Sequence, residues 1–291
     1  MKRKMLKRNE NELPYGFSGC STDFGIVIRA GAEDMTFEDE KVVIQMSTGD
    51  CPGAVACLEE DGSITIHNER VFEPKKEAMV RFQKEERTVQ KLKKWFFAGF
   101  VVLWVLMIPV AFIHEYLMNV FMSLGFICLG FAKIAPMIYQ YVQRCRGNET
   151  IRKIHRFHSA EHAVINAYYD LKRVPTLEEI KNYSNYSYYC GVVPMVRNAW
   201  PYLLLGLCRL VPGGWYFLAL LVVFATMVLF NKKMYFFEYF SLLEPTETEY
   251  KVAIAALNGA LENKRIADEA MNIINMSGDD IPIAHFVIHI G

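Results

Sequence analysis

The clearest pattern in the chain is a set of long apolar stretches that lack the polar interruptions of an amphipathic element. From Trp95 to Ile113 the sequence WFFAGFVVLWVLMIPVAFI carries no charge. A helix of about 20 such residues crosses a hydrocarbon layer of about 30 Å. His114 and Glu115 interrupt the run, and Tyr116 to Val142 is a second apolar stretch. It contains Asn119 and Lys133; a lysine in its last third can snorkel to the interface. A third run, Ala199 to Val211, is short and carries Arg209. It reaches spanning length only by starting near Val192 and taking in Arg197 and Asn198. It therefore reads either as a span or as a re-entrant or interfacial segment. Gly214 to Phe230 is a fourth run, set off by Pro212-Gly213. The pattern predicts an α-helical integral membrane protein with about four transmembrane helices, as two hairpins over 95–142 and 192–230.

The remaining segments read differently. Phe24–Arg29, Lys41–Met46, Ala54–Leu58 and Ile64–His67 are rich in Val and Ile or alternate, and Glu60-Asp61-Gly62-Ser63 is a turn signal. They predict a small antiparallel β-domain over 13–73, near the lower size limit for independent folding and leaning on the rest of the chain. Residues 74–94 read as a charged linking helix, 143–191 as a loop carrying one helix, and 231–291 as a helix and tail. Thr246 with Glu249 is a capping-box pattern opening a helix over 246–276. In the tail, IAHFVIHIG alternates like a strand and puts His285 and His289 on one face. The fold class is α+β overall.

Charge then sets orientation. Lys2, Arg3, Lys4, Lys7 and Arg8 open the chain, and Arg81, Lys84, Arg87, Lys91, Lys93 and Lys94 precede the first run. Arg144, Arg146, Arg152, Lys153 and Arg156 follow the second, and Lys232-Lys233 the fourth. The two hairpin tips hold almost none. By the positive-inside rule both termini and the central loop face the cytoplasm of a multi-pass cell-membrane protein, with the lipid bilayer as partner. The basic start is followed by Asn9-Glu10-Asn11-Glu12, which predicts no cleavable signal peptide. With 32 basic and 32 acidic side chains the formal net charge is zero, which argues against a nucleic-acid partner. The 52% hydrophobic content is thus an average over apolar spans and charged flanks. Seven cysteines with no CxxC pair argue against a disulfide framework.

The chemistry concentrates in 144–199. On a helix, Ile151, Ile154, His158, Glu161, His162, Ile165, Tyr168 and Tyr169 fall in one stripe. Arg152, Lys153, Arg156, Ser159, Ala160, Ala163, Asn166 and Ala167 fall on the other side, and His155 flanks the stripe. Two imidazoles and a carboxylate on a buried face must be paired, protonated or metal-bound, because an unpaired buried charge costs several kcal/mol. His158 and His162, one turn apart, offer two nitrogens to one divalent ion, zinc by ligand type. Glu161 beside them is a catalytic base or a further ligand, the H-x-x-E-H arrangement of inverted zinc proteases. Cys190, followed by Gly191, and Glu244, returning after the fourth run, are the candidates to complete the ligand set. The competing reading is a hydrogen-bonded His–Glu–His cluster that fixes helix packing.

FHSAEHAVINAYY, Val174–Ser184, Cys190-Gly191 and LEPTETEYKVAIAAL together resemble the YqhQ-like bacterial membrane proteins, described as predicted metal-dependent enzymes. The family's core reads YHGAEHKVINAY, then RKYS, HPRCGT and REP-x-EVAIAAL. FGIVIRAG and GAVACLEEDGSITI resemble its N-terminal segments more loosely. The resemblance implies His158, Glu161, His162, Cys190 and Glu244-Pro245 as the matched positions. Ser159 stands where the family has Gly, Ala163 where it has Lys, Ser187-Tyr188-Tyr189 for His-Pro-Arg, Val192 for Thr, and Leu243 for Arg. The chain is a divergent member by this reading, lacking one histidine and several basic residues of the pattern. The functional expectation is a membrane-embedded, metal-dependent hydrolytic enzyme acting on an unidentified substrate at the cytoplasmic face. The alternatives are a non-enzymatic scaffold or assembly factor, binding a protein partner or a second copy, and a transporter using Asn119, Lys133, Arg197 and Arg209.

Overall fold

The computed structural model describes residues 3–4, 17–22, 25–30, 53–69, 72–74, 76–112, 114–187, 190–211 and 215–277. Four strands, β1 (Phe17–Ser21), β2 (Gly25–Ala30), β3 (Ala54–Leu58) and β4 (Ile64–Asn68), form an antiparallel sheet in the order β1-β2-β3-β4. Helices follow: α1 (Lys76–Ala111), α2 (Glu115–Cys145), α3 (Glu149–Leu171), the one-turn α4 (Leu177–Ile180), α5 (Val192–Arg209) and α6 (Trp215–Phe230). A 3-10 helix (Asn231–Ser241) and α7 (Glu247–Ser277) complete the chain. The strand expected at Lys41–Met46 and the pair His285 and His289 lie outside the described residues.

Period-two alternation divides the sheet into two faces. Ile26 and Ile28 of β2 and Ala54 and Ala56 of β3 turn toward α3 and α7, while Val27, Val55 and Cys57 face the other way and pack with Phe72. The first face meets Phe157, Ala160, Ala163 and Val164 of α3 and Val252, Ala253, Ala256, Leu257 and Ala260 of α7. The many alanines let the helices approach the sheet and each other closely. One core thus joins three segments that are far apart in the chain, which is how a sheet too small to stand alone is stabilised. Removing these side chains from water contributes about 25 cal/mol for each Å² of apolar surface.

The charged linking segment and the first apolar run are one continuous helix. Lys76–Phe97 holds no Gly or Pro and is rich in Lys, Glu, Gln and Arg, so the helix runs unbroken into the apolar run, which takes in Gly99 and Pro109 before α1 ends at Ala111. α2 packs between α1 and α5 on small residues. Ser123 is fully buried and donates to Gly206 O at 2.5 Å. A Cβ on Gly206 would lie 2.7 Å from Ile127 and 2.9 Å from Ser123 O, so only glycine permits this approach. At one end of this pair Ile134 and Met137 meet Val192, Val193 and Val196; at the other Arg209 reaches Asn119 at 3.5 Å. α5 therefore runs antiparallel to α2. α2 closes on Arg146, and Gly147 at φ +81° turns the chain directly into α3, whose cap Asn148 accepts from Ile151 N at 3.3 Å.

Among the described residues two helices, not the four expected, are long and apolar enough to cross a membrane: Gln83–Val110 and Glu115–Cys145. α5 has 18 residues and carries Arg197 and Arg209, and α6 has only 16. The most apolar 18-residue window of the first span has no residue buried, and that of the second has 33% buried.

Candidate metal centre

The site is built on α3 and closed by two chain-distant segments. His158 and His162 are four residues apart, so both rings project from one side of α3, with centroids 4.4 Å apart. The segment 184–187 is fixed to α3 by Asn166, whose amide donates to Ser184 O and Tyr186 O, both at 2.9 Å. That holds Asn185 O 2.7 Å from His162 Nδ1. The segment after the 3-10 helix is fixed by Leu243 N, which donates to Ser159 Oγ at 3.1 Å. That puts Ser241 O 3.3 Å from His158 Nδ1.

These two carbonyls determine the tautomers. A carbonyl only accepts, so each Nδ1 carries its proton and each Nε2 presents a lone pair. Cys190, 5% exposed, completes the group: its Sγ lies 3.4 Å from His158 Nε2. One ligand atom each from His158, His162 and Cys190 lies within 4.8 Å of the others. This is the arrangement in which backbone acceptors orient metal-binding imidazoles.

Glu161 is 5% exposed on the same helix and accepts from Ser21 Oγ of β1 at 2.9 Å. Burial pushes its carboxyl up to about 7, and Ser21 works against that shift. Burial holds His158 down at about 4 and His162 well below the ordinary imidazole value, the neighbouring His158 adding to the latter. Burial, the Glu238 carboxylate and, less, Glu161 push the Cys190 thiol up. Without a cation, burial therefore favours neutral imidazoles and a protonated thiol, whose Sγ lies 3.4 Å from His158 Nε2. A divalent ion held by His158, His162 and Cys190 would take the place of that proton and favour the thiolate and the Glu161 carboxylate.

Glu244 does not join the three. Its side chain is 63% exposed, bonds to Arg3, and accepts from Asn185 Nδ2 at 3.4 Å. A different acid is present instead. Glu238 of the 3-10 helix is fully buried, with Oε2 accepting from Ser187 N at 2.9 Å and lying 3.4 Å from His162 Nδ1. Burial pushes its carboxyl up to about 8. Glu238 Oε1, Asn185 Oδ1 and both nitrogens of His155 are buried without a hydrogen-bond partner among the described residues. Buried polar atoms are rarely left so; four of them lie on residues around one candidate ligand set.

The single-stripe reading of α3 was too narrow. Ser159, Ala160, Ala163, Asn166 and Ala167, placed by periodicity on the outer side, are buried, and His155 is 1% exposed. α3 packs against the sheet, α7, the end of α2 and the segment 238–243, so residues on more than one of its sides are covered, while Glu149 is exposed and others along its length, Arg152 and Asp170 among them, are partly so. Periodicity gives the angle between side chains and not how many sides are covered. Ser21, Asn185 and Glu238 were not singled out from the sequence. Glu238 had a signal, a lone acid within MYFFEYFS just after an apolar run.

Residues 58–197 match the family model described as "Protein of unknown function (DUF1385)". Over that segment the chain is similar to this family. This is consistent with the resemblance to YqhQ-like proteins. The DUF1385 match runs from the end of β3 into α5 and contains His158, Glu161, His162 and Cys190. Ser21, Glu238, Ser241 and α7 lie outside it, so the matched segment holds the candidate ligands and the flanks supply part of their support. No curated protein and no solved structure matches the chain.

Proposed function

We propose that the chain is a metal-dependent hydrolytic enzyme of the cell membrane, with its centre at the cytoplasmic face. The observation that carries this reading is the convergence of His158, His162 and Cys190, with both Nδ1 atoms bonded to backbone carbonyls. Three protein ligands with a fourth position for water or substrate is the pattern of catalytic zinc sites. Two imidazoles and a thiolate suit zinc. A bound divalent ion supplies a Lewis acid that polarises an oxygen and eases loss of its proton. Glu161, adjacent on α3 and oriented by Ser21 Oγ, takes up that proton and returns it to the leaving group.

The membrane part rests on exposure. Trp95, Phe97, Val102, Val105 and Ile108 of α1 and Trp215, Leu221 and Phe224 of α6 are all more than half exposed. Apolar surface this extensive exceeds what a soluble monomer presents. α5 lies antiparallel along α2 and rises about 27 Å, so we assign it, with α6, as the second hairpin beside the two longer helices. Both hairpins then open toward the module formed by the sheet, α3 and α7.

The test is elemental analysis of the full chain purified in detergent, alongside His158→Ala and His162→Ala. About one zinc per chain, lost in both variants, is expected. Substoichiometric metal unaffected by either change sinks the reading. Hydrolysis of chromogenic phosphoesters, esters and anilides then tests Glu161→Gln, which keeps its metal and loses turnover if Glu161 is the base.

A further inference from the structure

A second polar feature lies at the junction of α2 and α3. A cleft of about 490 Å³ is lined by Arg144 and Cys145 of α2, Arg152 and Arg156 of α3, and Leu243 and Glu244. That volume is in the range of small-ligand sites. Arg152 and Arg156 are four apart, so α3 presents both guanidinium groups on one side.

The three arginines differ in how their charge is met. Arg144 donates through Nη1 to Tyr239 O at 3.2 Å and Leu242 O at 2.8 Å, which are neutral acceptors. Among the described residues no carboxylate pairs with it. Its guanidinium lies 4.9 Å from the Tyr141 ring centroid and 5.8 Å from that of Tyr239, so its plane is fixed and its other donors stay available. Arg152 bonds to Glu149 at 2.9 Å, but that carboxylate is 71% exposed. Such a pair contributes little, so Arg152 is readily drawn to a stronger acceptor. Arg156 is held by the buried Glu249 at 2.9 Å and adds its charge without moving. The one acid lining the cleft, Glu244, is itself bonded to Arg3.

We propose that this cleft binds a phosphate-bearing anion. Guanidinium forks match phosphate oxygens in pairs, and Arg144 and Arg152 approach from two helices to clamp one group. The source of the phosphate follows from position. On the reading that α2 crosses the bilayer, Arg144 is at its cytoplasmic end, beside Tyr141 and the exposed Phe236 and Tyr239. Aromatic rings mark the headgroup level, and basic pockets between helices there take anionic lipid headgroups.

The experiment uses the full chain in neutral detergent and follows thermal unfolding by tryptophan fluorescence. The probes are phosphatidylglycerol, phosphatidylcholine, inorganic phosphate, and sodium chloride at matched ionic strength. Phosphatidylglycerol is expected to raise Tm, and Arg152→Glu to weaken the effect roughly tenfold or more in midpoint concentration. Arg146→Glu, an exposed charge just outside the cleft, leaves it unchanged. A response to phosphatidylglycerol alone assigns the headgroup as source; an equal response to inorganic phosphate assigns the free anion; either supports the site. No response beyond that of chloride, or equal losses in Arg152→Glu and Arg146→Glu, overturns it. If Arg152→Glu does not fold, Arg152→Gln and its rescue by Arg152→Lys give the same readout. His158→Ala separates this site from the metal centre, since it is expected to lose metal and keep the lipid response.

Discussion

Replacing Cys190 with Ser tests the metal centre without disturbing the packing around it. The side chain is 5% exposed, nearly isosteric with Ser, and its polar contacts are His158 Nε2 at 3.4 Å and Val192 N at 3.5 Å. In the metal-free protein a hydroxyl keeps these contacts, so stability changes by no more than about 1 kcal/mol, the net value of one hydrogen bond. With metal the loss is larger. Structural zinc sites of four ligands bind with about 10–16 kcal/mol, or roughly 3 kcal/mol per ligand, and that corresponds to an affinity loss of roughly 100-fold.

This difference appears directly in thermal unfolding. A ligand at 100 times its Kd stabilises the folded state by about 2.7 kcal/mol, whereas at its Kd it contributes only about 0.4 kcal/mol. At a zinc concentration set to 100 times the wild-type Kd, Cys190→Ser is therefore expected to lose nearly all of the zinc-dependent rise in Tm. Its Tm in chelator stays close to wild type. The assay is a zinc titration of both proteins in the same detergent, with affinity fixed independently by competition with a chromogenic chelator. An equal zinc-dependent rise in the two proteins refutes the assignment of Cys190. A large drop in chelator alone refutes the argument that the thiol has little structural role.

Glu238→Gln keeps the shape of a fully buried side chain and removes the charge 3.4 Å from His162 Nδ1. Because carboxylates behind a metal-bound histidine raise its basicity, zinc affinity is expected to fall about 10–100-fold with stoichiometry unchanged; unchanged affinity places Glu238 outside the centre. Glu249 accepts from Thr246 N at 2.7 Å and from Arg156 at 2.9 Å. Although burial pushes its carboxyl up, these bonds together prevail and lower it from 4.5. Its contribution to stability is thus complete above pH 4.5 and is lost as pH falls through the lowered folded value, so Glu249→Gln should flatten the acid limb of a Tm–pH profile below pH 4.5. An unaltered limb shows that other carboxylates set it. In liposomes, single-tryptophan variants retaining Trp104 are expected to be quenched more by lipids brominated at mid-chain than those retaining Trp95, nine residues and about 14 Å nearer the interface. Equal quenching, or none, counts against α1 as a span.

Much of the candidate site was legible because His158, Glu161 and His162 lie on one helix. The four-residue spacing of His158 and His162 is a property of sequence alone once a helix is granted, and Glu161 follows from the same geometry. Cys190 was reached from its glycine neighbour and its place before an apolar run. Glu244 was a candidate for the same reason of chain position, yet it turns outward to Arg3, while Glu238, six residues earlier, turns inward. Chain position brings a segment to the right face; which of its acids points inward is set by the 3-10 helix, and that had no signature. β1 was missed because FSGCS has Gly and two Ser in place of alternating Val and Ile; it forms through pairing with β2, from Phe17↔Ala30 to Ser21↔Ile26. The apolar runs gave α1, α2, α5 and α6, but only the packing of Ser123 against Gly206 fixed how α2 and α5 lie together.

The arrangement also explains why the candidate ligands are oriented by segments far apart in the chain. Cys190 lies two residues before α5, and Ser241, whose carbonyl orients His158, ends the 3-10 helix that follows α6. The α5–α6 pair therefore brings both ends of its own connection back to α3, one supplying a ligand and the other an acceptor. Arg144, at the end of α2, bonds to Tyr239 O and Leu242 O on either side of Ser241 and ties that segment to the first helical pair. Ser21 reaches Glu161 from the sheet. Every residue that orients the centre thus comes from a different element than the one it orients. A lone α3, or the matched 58–197 segment without its flanks, has the histidines at the right spacing and lacks the carbonyl that directs His158 and the hydroxyl that holds Glu161.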